Sequence, residues 1–143
     1  MERQKLMLFL EGTAFQTKLL PLPFSKTAYA PIGRAVEKIN GWHEQYTVVL
    51  CTFRRHRLHL VRQALRDYGV TYDALEYRRR GESYGDVVMR VRPDILLEDD
   101  CASIGGAKET CIAQVPAAQR QAIRSIVVPE FQGVDEIVLG GKP

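Results

Sequence analysis

Residues 5–13 read KLMLFLEGT, and the fold turns on how that stretch is understood. The apolar run Lys5–Leu10 stops abruptly at Glu11-Gly12. It is too short for a helix and shows no polar alternation, so it reads as a strand buried on both faces. The same signature returns downstream. Thr47–Thr52 (TVVLCT), Asp94–Leu97 (DILL) and Ser125–Val128 (SIVV) are continuous apolar runs, and Ala74–Tyr77 is a weaker one. Helical spacing fills the intervals. One helix is expected over Gly33–Gln45, with Ile32, Val36, Ile39 and Trp42 along one side. A second covers Arg55–Tyr68 and is stopped by Gly69. A third covers Tyr84–Val91 and ends before Pro93. A fourth runs over Ala117–Arg124 behind Pro116.

Continuous apolar strands alternating with helices imply a parallel sheet covered on both faces. The expectation is therefore an α/β three-layer Rossmann-like domain with a central, mainly parallel five-stranded sheet. The 143 residues are one domain's worth of chain, with residues 14–31, which hold Pro21, Pro23 and Pro31, read as a long loop or minimal insertion over its body. The tail from Pro129 carries no clear signal. Hydrophobic residues at 45% and charged residues at 26% are ordinary for a soluble domain and exclude disordered, collagen-like and coiled-coil chains. No apolar run approaches the ~20 residues of a membrane span, and Met1–Lys5 leads into too short a run for a signal peptide. A cytoplasmic protein is expected. Three cysteines (Cys51, Cys101, Cys111) without a CxxC pair argue against a disulfide framework or a zinc finger.

The net charge of +3 says little, but its distribution says more. Residues 54–80 hold eight arginines against three acids, whereas residues 94–100 hold four acids and no base. In a parallel sheet, ligands sit beyond the carboxyl ends of the strands. The groups at those ends are Glu11-Gly12-Thr13, Thr52-Phe53-Arg54-Arg55, Arg78-Arg79-Arg80 and Glu98-Asp99-Asp100. Carboxylates from two strand ends suit a hard divalent cation. A hydroxyl, arginines and backbone N–H groups suit a phosphate. Each has a plainer reading. Glu11 also fits a turn or an N-cap, and Thr52 an ordinary strand end. The 98–100 acids also fit caps on the following segment. Arg54, Arg55 and Arg57 also fit the exposed start of a helix, although arginine there opposes the helix dipole unless an anion compensates. Arg78–Arg80 fits a surface loop, Ser103–Gly106 a plain glycine turn, His56 and His59 a solvated face, and Cys51 and Trp42 the core.

The order of these groups resembles the haloacid dehalogenase superfamily, most of whose members are Mg²⁺-dependent phosphatases. FLEGT (Phe9–Thr13) resembles its first motif, Asp-x-Asp-Gly-Thr. VVLCT, ending at Thr52, resembles the second, and PDILLEDD, with Glu98-Asp99, the fourth. Arg78–Arg80 stands loosely for the third. The resemblance implies Mg²⁺ held by Glu98, Asp99 and Glu11, catalytic roles for Glu11 and Thr52, and phosphate contacts from Gly12, Thr13, Arg54, Arg55 and Arg78. It also implies a small, cap-poor member, since 38 residues separate Thr13 from Thr52. The first motif is degenerate. Phe9 stands where the nucleophilic aspartate belongs and has no lone pair to attack phosphorus. The expected function is a phosphatase-related hydrolase domain that binds a divalent cation and a phosphorylated ligand, with altered or lost chemistry. The alternatives are a non-catalytic binding or regulatory module and, behind it, a nucleotide- or RNA-binding protein using the arginine band. The ligand is expected to be a phosphorylated small molecule or macromolecule. No membrane partner is expected, and a homo-oligomer stays open.

Overall fold

The computed structural model describes residues 3–19 and 27–140. Seven strands and four α-helices are ordered β1 (Lys5–Phe9), β2 (Phe15–Leu19), β3 (Thr27–Pro31), α1 (Ala35–His43), β4 (Thr47–Thr52), α2 (Leu58–Asp67), β5 (Ala74–Tyr77), α3 (Tyr84–Val91), β6 (Ile95–Asp99), α4 (Ala117–Arg120) and β7 (Arg124–Val128). Three 3-10 turns, Ala102–Ile104, Ala107–Glu109 and Ile112–Gln114, lie between β6 and α4.

The protein is a three-layer α/β fold around a five-stranded parallel sheet of order β5-β4-β1-β6-β7. β1 is central, and Leu6, Met7 and Leu8 are fully buried because both faces are covered. The alternation of a strand sends its residues to two separate cores. Leu6 and Leu8 join Val48, Leu50, Ile95 and Leu97 beneath Ile39 and Trp42 of α1 and Val61 and Leu65 of α2. Met7 joins Val49, Cys51 and Leu96 beneath Val87, Val88 and Val91 of α3. Each such side chain contributes about 1.5–3 kcal/mol of burial. The chain builds outward from β1 through β4 to β5, then returns to add β6 and β7 on the other side. The reversal lies between β1 and β6, where an open sheet leaves a crevice at its carboxyl edge.

Several boundaries differ from the expectations. β6 runs on through Glu98 and Asp99, both paired with β7. α1 and α2 are shorter at both ends, and α4 has four residues. Residues 14–31 are not simply a loop, since β2 and β3 form an antiparallel hairpin with Phe15 opposite Pro31 and Thr17 opposite Tyr29. Phe15 is buried against Tyr29 and Tyr68, which anchors the base of the hairpin. Pro21 and Pro23 lie outside the described residues. The tail is packed too, with Val134 and Leu139 in the α1/α2 core and Asp135 accepting the Arg34 N–H at 2.8 Å. No helix is long and apolar enough to cross a membrane among the described residues.

Candidate functional site

A cleft of about 440 Å³ opens at the carboxyl edge of the sheet. Its walls carry four aromatic side chains, Phe9, Phe53, Tyr84 and Phe131, and five carboxylates, Glu11, Glu98, Asp99, Glu109 and Glu130. Gly12, Gln16 and Thr17 from the β1 loop and hairpin also line it, with Cys101, Ser103, Ile104 and Cys111. No Lys, Arg or His is among its described lining residues.

Glu11, Glu98, Asp99 and Glu130 are engaged by the chain itself. Glu11 sits at the end of β1, where the chain turns tightly and Thr13, Ala14 and Phe15 donate back to the Leu10 carbonyl. Its Oε2 accepts from the Thr52 hydroxyl at 2.5 Å and from the Tyr29 hydroxyl, while its Oε1 accepts the Phe53 N–H at 3.0 Å. One carboxylate thus ties together the ends of β1 and β4 and the hairpin. Burial pushes the Glu11 carboxyl above its ordinary range, and the three donors partly offset that rise.

Glu98 is 2% exposed and accepts the N–H groups of Cys111 at 2.7 Å and Ile112 at 3.0 Å. It therefore caps the 3-10 turn Ile112–Gln114, filling orphan donors at a helical N-terminus. Asp99 accepts the Thr13 hydroxyl and the Cys101 N–H, each at 3.0 Å, and Asp100 accepts the Ala102 N–H at 3.1 Å. Burial raises the carboxyls of both Glu98 and Asp99. Gly12 adopts φ +84°, which favours glycine, and a Cβ there would stand 3.0 Å from the Asp99 carboxylate, which would have to shift.

The acids that can share a cation are not the trio expected from sequence. Oxygens of Asp99, Asp100 and Glu130 lie within 4.8 Å of one another, whereas Glu11 and Glu98 are not in that group. Glu130 also accepts the Ser103 N–H and hydroxyl, both at 2.8 Å, which binds the tail to the first 3-10 turn.

The expected phosphate contacts are scattered. Gly12 lines the cleft, while Thr13 is buried on Asp99. The Arg54 guanidinium lies 5.0 Å over the Tyr29 ring and 5.7 Å from the Phe53 ring, and Arg78 lies 5.1 Å over Tyr84. Both stack on aromatics that wall or adjoin the cleft. Arg55 is turned to structure, donating to the Arg78 carbonyl at 3.4 Å and to His56 at 3.2 Å. Helix α2 begins behind Arg57 with no side-chain cap and no acid in its first turn.

Burial raises all three cysteine thiols, Cys101 to about 12, so none is a thiolate near neutrality.

The sequence reading missed Tyr29, Tyr84, Glu130 and Phe131. The last two follow β7 as Pro129-Glu130-Phe131. Their place directly after the fifth strand, equivalent to that of the groups after the other four, is the signal the sequence carries for them.

No family model matches the chain, and no curated protein matches it. Among solved structures it is similar to a universal stress protein solved in complex with cAMP, at 11% identity and a TM-score of 0.43, over 90% of this chain and 98% of that one. The haloacid dehalogenase resemblance is corrected, and with it the reading as a phosphatase-related, Mg²⁺-dependent hydrolase, since no family model and no curated relative supports that membership. The physical reason is that the motif-like residues serve needs common to parallel α/β sheets. Gly12-Thr13 make the turn after a buried strand, Thr52 holds Glu11, and Glu98 and Asp99 cap the segments that follow.

Proposed function

We propose that this chain is a non-catalytic binding module whose carboxyl-edge cleft takes a small phosphorylated ligand of nucleotide type. The observation that carries the reading is the make-up of the cleft, an aromatic-lined slot whose Phe53 and Tyr84 are stacked by Arg54 and Arg78. An aromatic slot suits a base, and guanidinium groups beside it suit a phosphate. Binding rather than turnover is supported by Phe9 in the cleft and by Glu11, Glu98 and Asp99 each already holding two or more donors of the chain. A cytoplasmic location and Mg²⁺ as a companion of the phosphate belong to the same proposal.

The test is calorimetric titration with AMP, ATP, cyclic AMP, ribose 5-phosphate and inorganic phosphate, each with and without Mg²⁺. Saturable binding of at least one phosphorylated compound is expected, with Arg78→Ala weakening it about five- to tenfold, as loss of a charge-assisted contact does. If none of these compounds binds, the reading fails. Steady release of inorganic phosphate that disappears in Glu11→Gln would overturn its non-catalytic half.

A further inference from the structure

Two aromatic side chains on the cleft are far more exposed than their chemistry favours. Phe53 and Phe131 are each 52% exposed, and both line the cavity. Phe131 also adopts φ +67°, a left-handed backbone that bulky side chains rarely take. Strain of that kind persists only where its surroundings impose it, and it gathers at ligand clamps. The imposing contact is visible: the Phe131 N–H donates to the Gly12 carbonyl at 2.8 Å, strapping the segment after β7 onto the turn after β1. A glycine at 131 would make the same bond without strain. The phenyl ring therefore costs stability on the backbone side, and its exposure forgoes about half of what burial would return.

Phe53 and Phe131 reach the cleft from the ends of different strands. Phe53 follows β4 and Phe131 follows β7, with β1 and β6 between them. Three strand spacings make about 14 Å. A planar ring in van der Waals contact on both faces needs about 7–8 Å of that, which leaves room for a side chain on each side. The nearby carboxylates of Asp99 and Glu130 accept hydrogen bonds, so they complement a ring that carries N–H donors.

We infer that Phe53 and Phe131 form an aromatic bracket that stacks the base of the bound nucleotide and so selects nucleotides over sugar phosphates; this rests on the nucleotide reading above. Base–aromatic stacking contributes enough per base to be read as a tenfold change in affinity.

The experiment titrates wild type, Phe131→Gly, Phe131→Ala and Phe53→Ala with AMP and with ribose 5-phosphate by calorimetry, beside thermal melts. Wild type is expected to bind AMP at least tenfold more tightly than ribose 5-phosphate. Phe131→Gly and Phe53→Ala are expected to lose about tenfold in AMP affinity and less than twofold in ribose 5-phosphate affinity. Phe131→Gly is also expected to melt at or above the wild-type temperature, which separates a ligand clamp from a packing residue. Unchanged AMP affinity in all three variants overturns the bracket and leaves nucleotide binding standing. Equal wild-type affinity for the two ligands overturns the bracket as well. Failure of wild type to bind either compound or any other phosphorylated ligand overturns the underlying reading and the bracket with it.

Discussion

Glu98 and Glu11 show how a buried carboxylate can be structural and still sit in a cleft. Glu98 divides its two oxygens between the N–H groups of Cys111 and Ile112. In Glu98→Gln one oxygen becomes an NH₂ group that faces a backbone donor, so one N–H loses its acceptor. The expected cost is about 1–3 kcal/mol by urea denaturation; a variant as stable as wild type would mean that these bonds hold nothing. Glu11 gives a pH signature. Burial raises its folded carboxyl above the ordinary 4.5, so its contribution is fully present below 4.5 and is lost as pH rises through the higher folded value. Glu82 runs the other way, since hydrogen bonds from Arg90 hold it at about 2 and its contribution is lost as pH falls toward that value. Only a difference measurement isolates Glu11. The stability of wild type minus that of Glu11→Gln should be larger at pH 4 than at pH 8, and a difference flat across that range would refute the assignment. Acids after an apolar strand were visible in the sequence. Their donors were not, because Cys111 lies 13 residues beyond Glu98 and Thr52 lies 41 beyond Glu11.

Two glycines make opposite predictions about the helices that hold them. Gly41 is inside α1 with open space around a built Cβ, whereas a Cβ on Gly85 in α3 would meet the Gln114 carbonyl oxygen at 2.1 Å. Gly41→Ala is expected to stabilise the protein by about 0.5–1 kcal/mol, which is the helix preference alone. Gly85→Ala offers the same preference, yet it is expected to destabilise by about 1–3 kcal/mol because backbone must move, as in overpacked cores. Thermal melts of the pair decide it, and a stabilised Gly85→Ala would show that α3 does not rest on the 3-10 turn as described. This close approach explains why some elements were readable and others not. β4, β5 and α3 fall on the expected boundaries because local rules suffice there: a β-branched run, a Ser83–Asp86 capping box and a stop at Pro93. The β2–β3 hairpin was hidden because Phe15 and Tyr29 owe their place to Tyr68 and Glu11, which are remote in sequence. The 3-10 turns were hidden for the same reason, since Glu98 holds one of them from the sheet.

The whole molecule is organised about the reversal between β1 and β6, and its ligand-linked behaviour should show that. The cleft draws on segments after β1, β4, β6 and β7, together with the hairpin and the start of α3, so a ligand there contacts pieces that no single element holds together. The parallel sheet and its carboxyl edge were readable from the apolar runs. The aromatic character of the cleft was not, because Phe9, Phe53, Tyr84 and Phe131 are dispersed over 123 positions and meet only through strand order. The eight-arginine band divides between two roles, for Arg55 holds a carbonyl while Arg54 and Arg78 stack on rings of the cleft region. A ligand that binds only the folded chain stabilises it by about 2.7 kcal/mol at a hundredfold excess over Kd. For a chain of this size each kcal/mol moves the melting temperature by roughly 2–4 °C, so a rise of about 5–11 °C is expected. Hydrogen exchange should localise the effect, slowing the amides of residues 10–13, 53–54, 100–104 and 130–132. The loops at the opposite edge, around Gln45–Tyr46 and Arg92–Asp94, gain only the shared global protection. Protection that rises equally at both edges would mean that the ligand acts through global stability alone, and extra protection confined to the amino edge would place the site at the wrong end of the sheet.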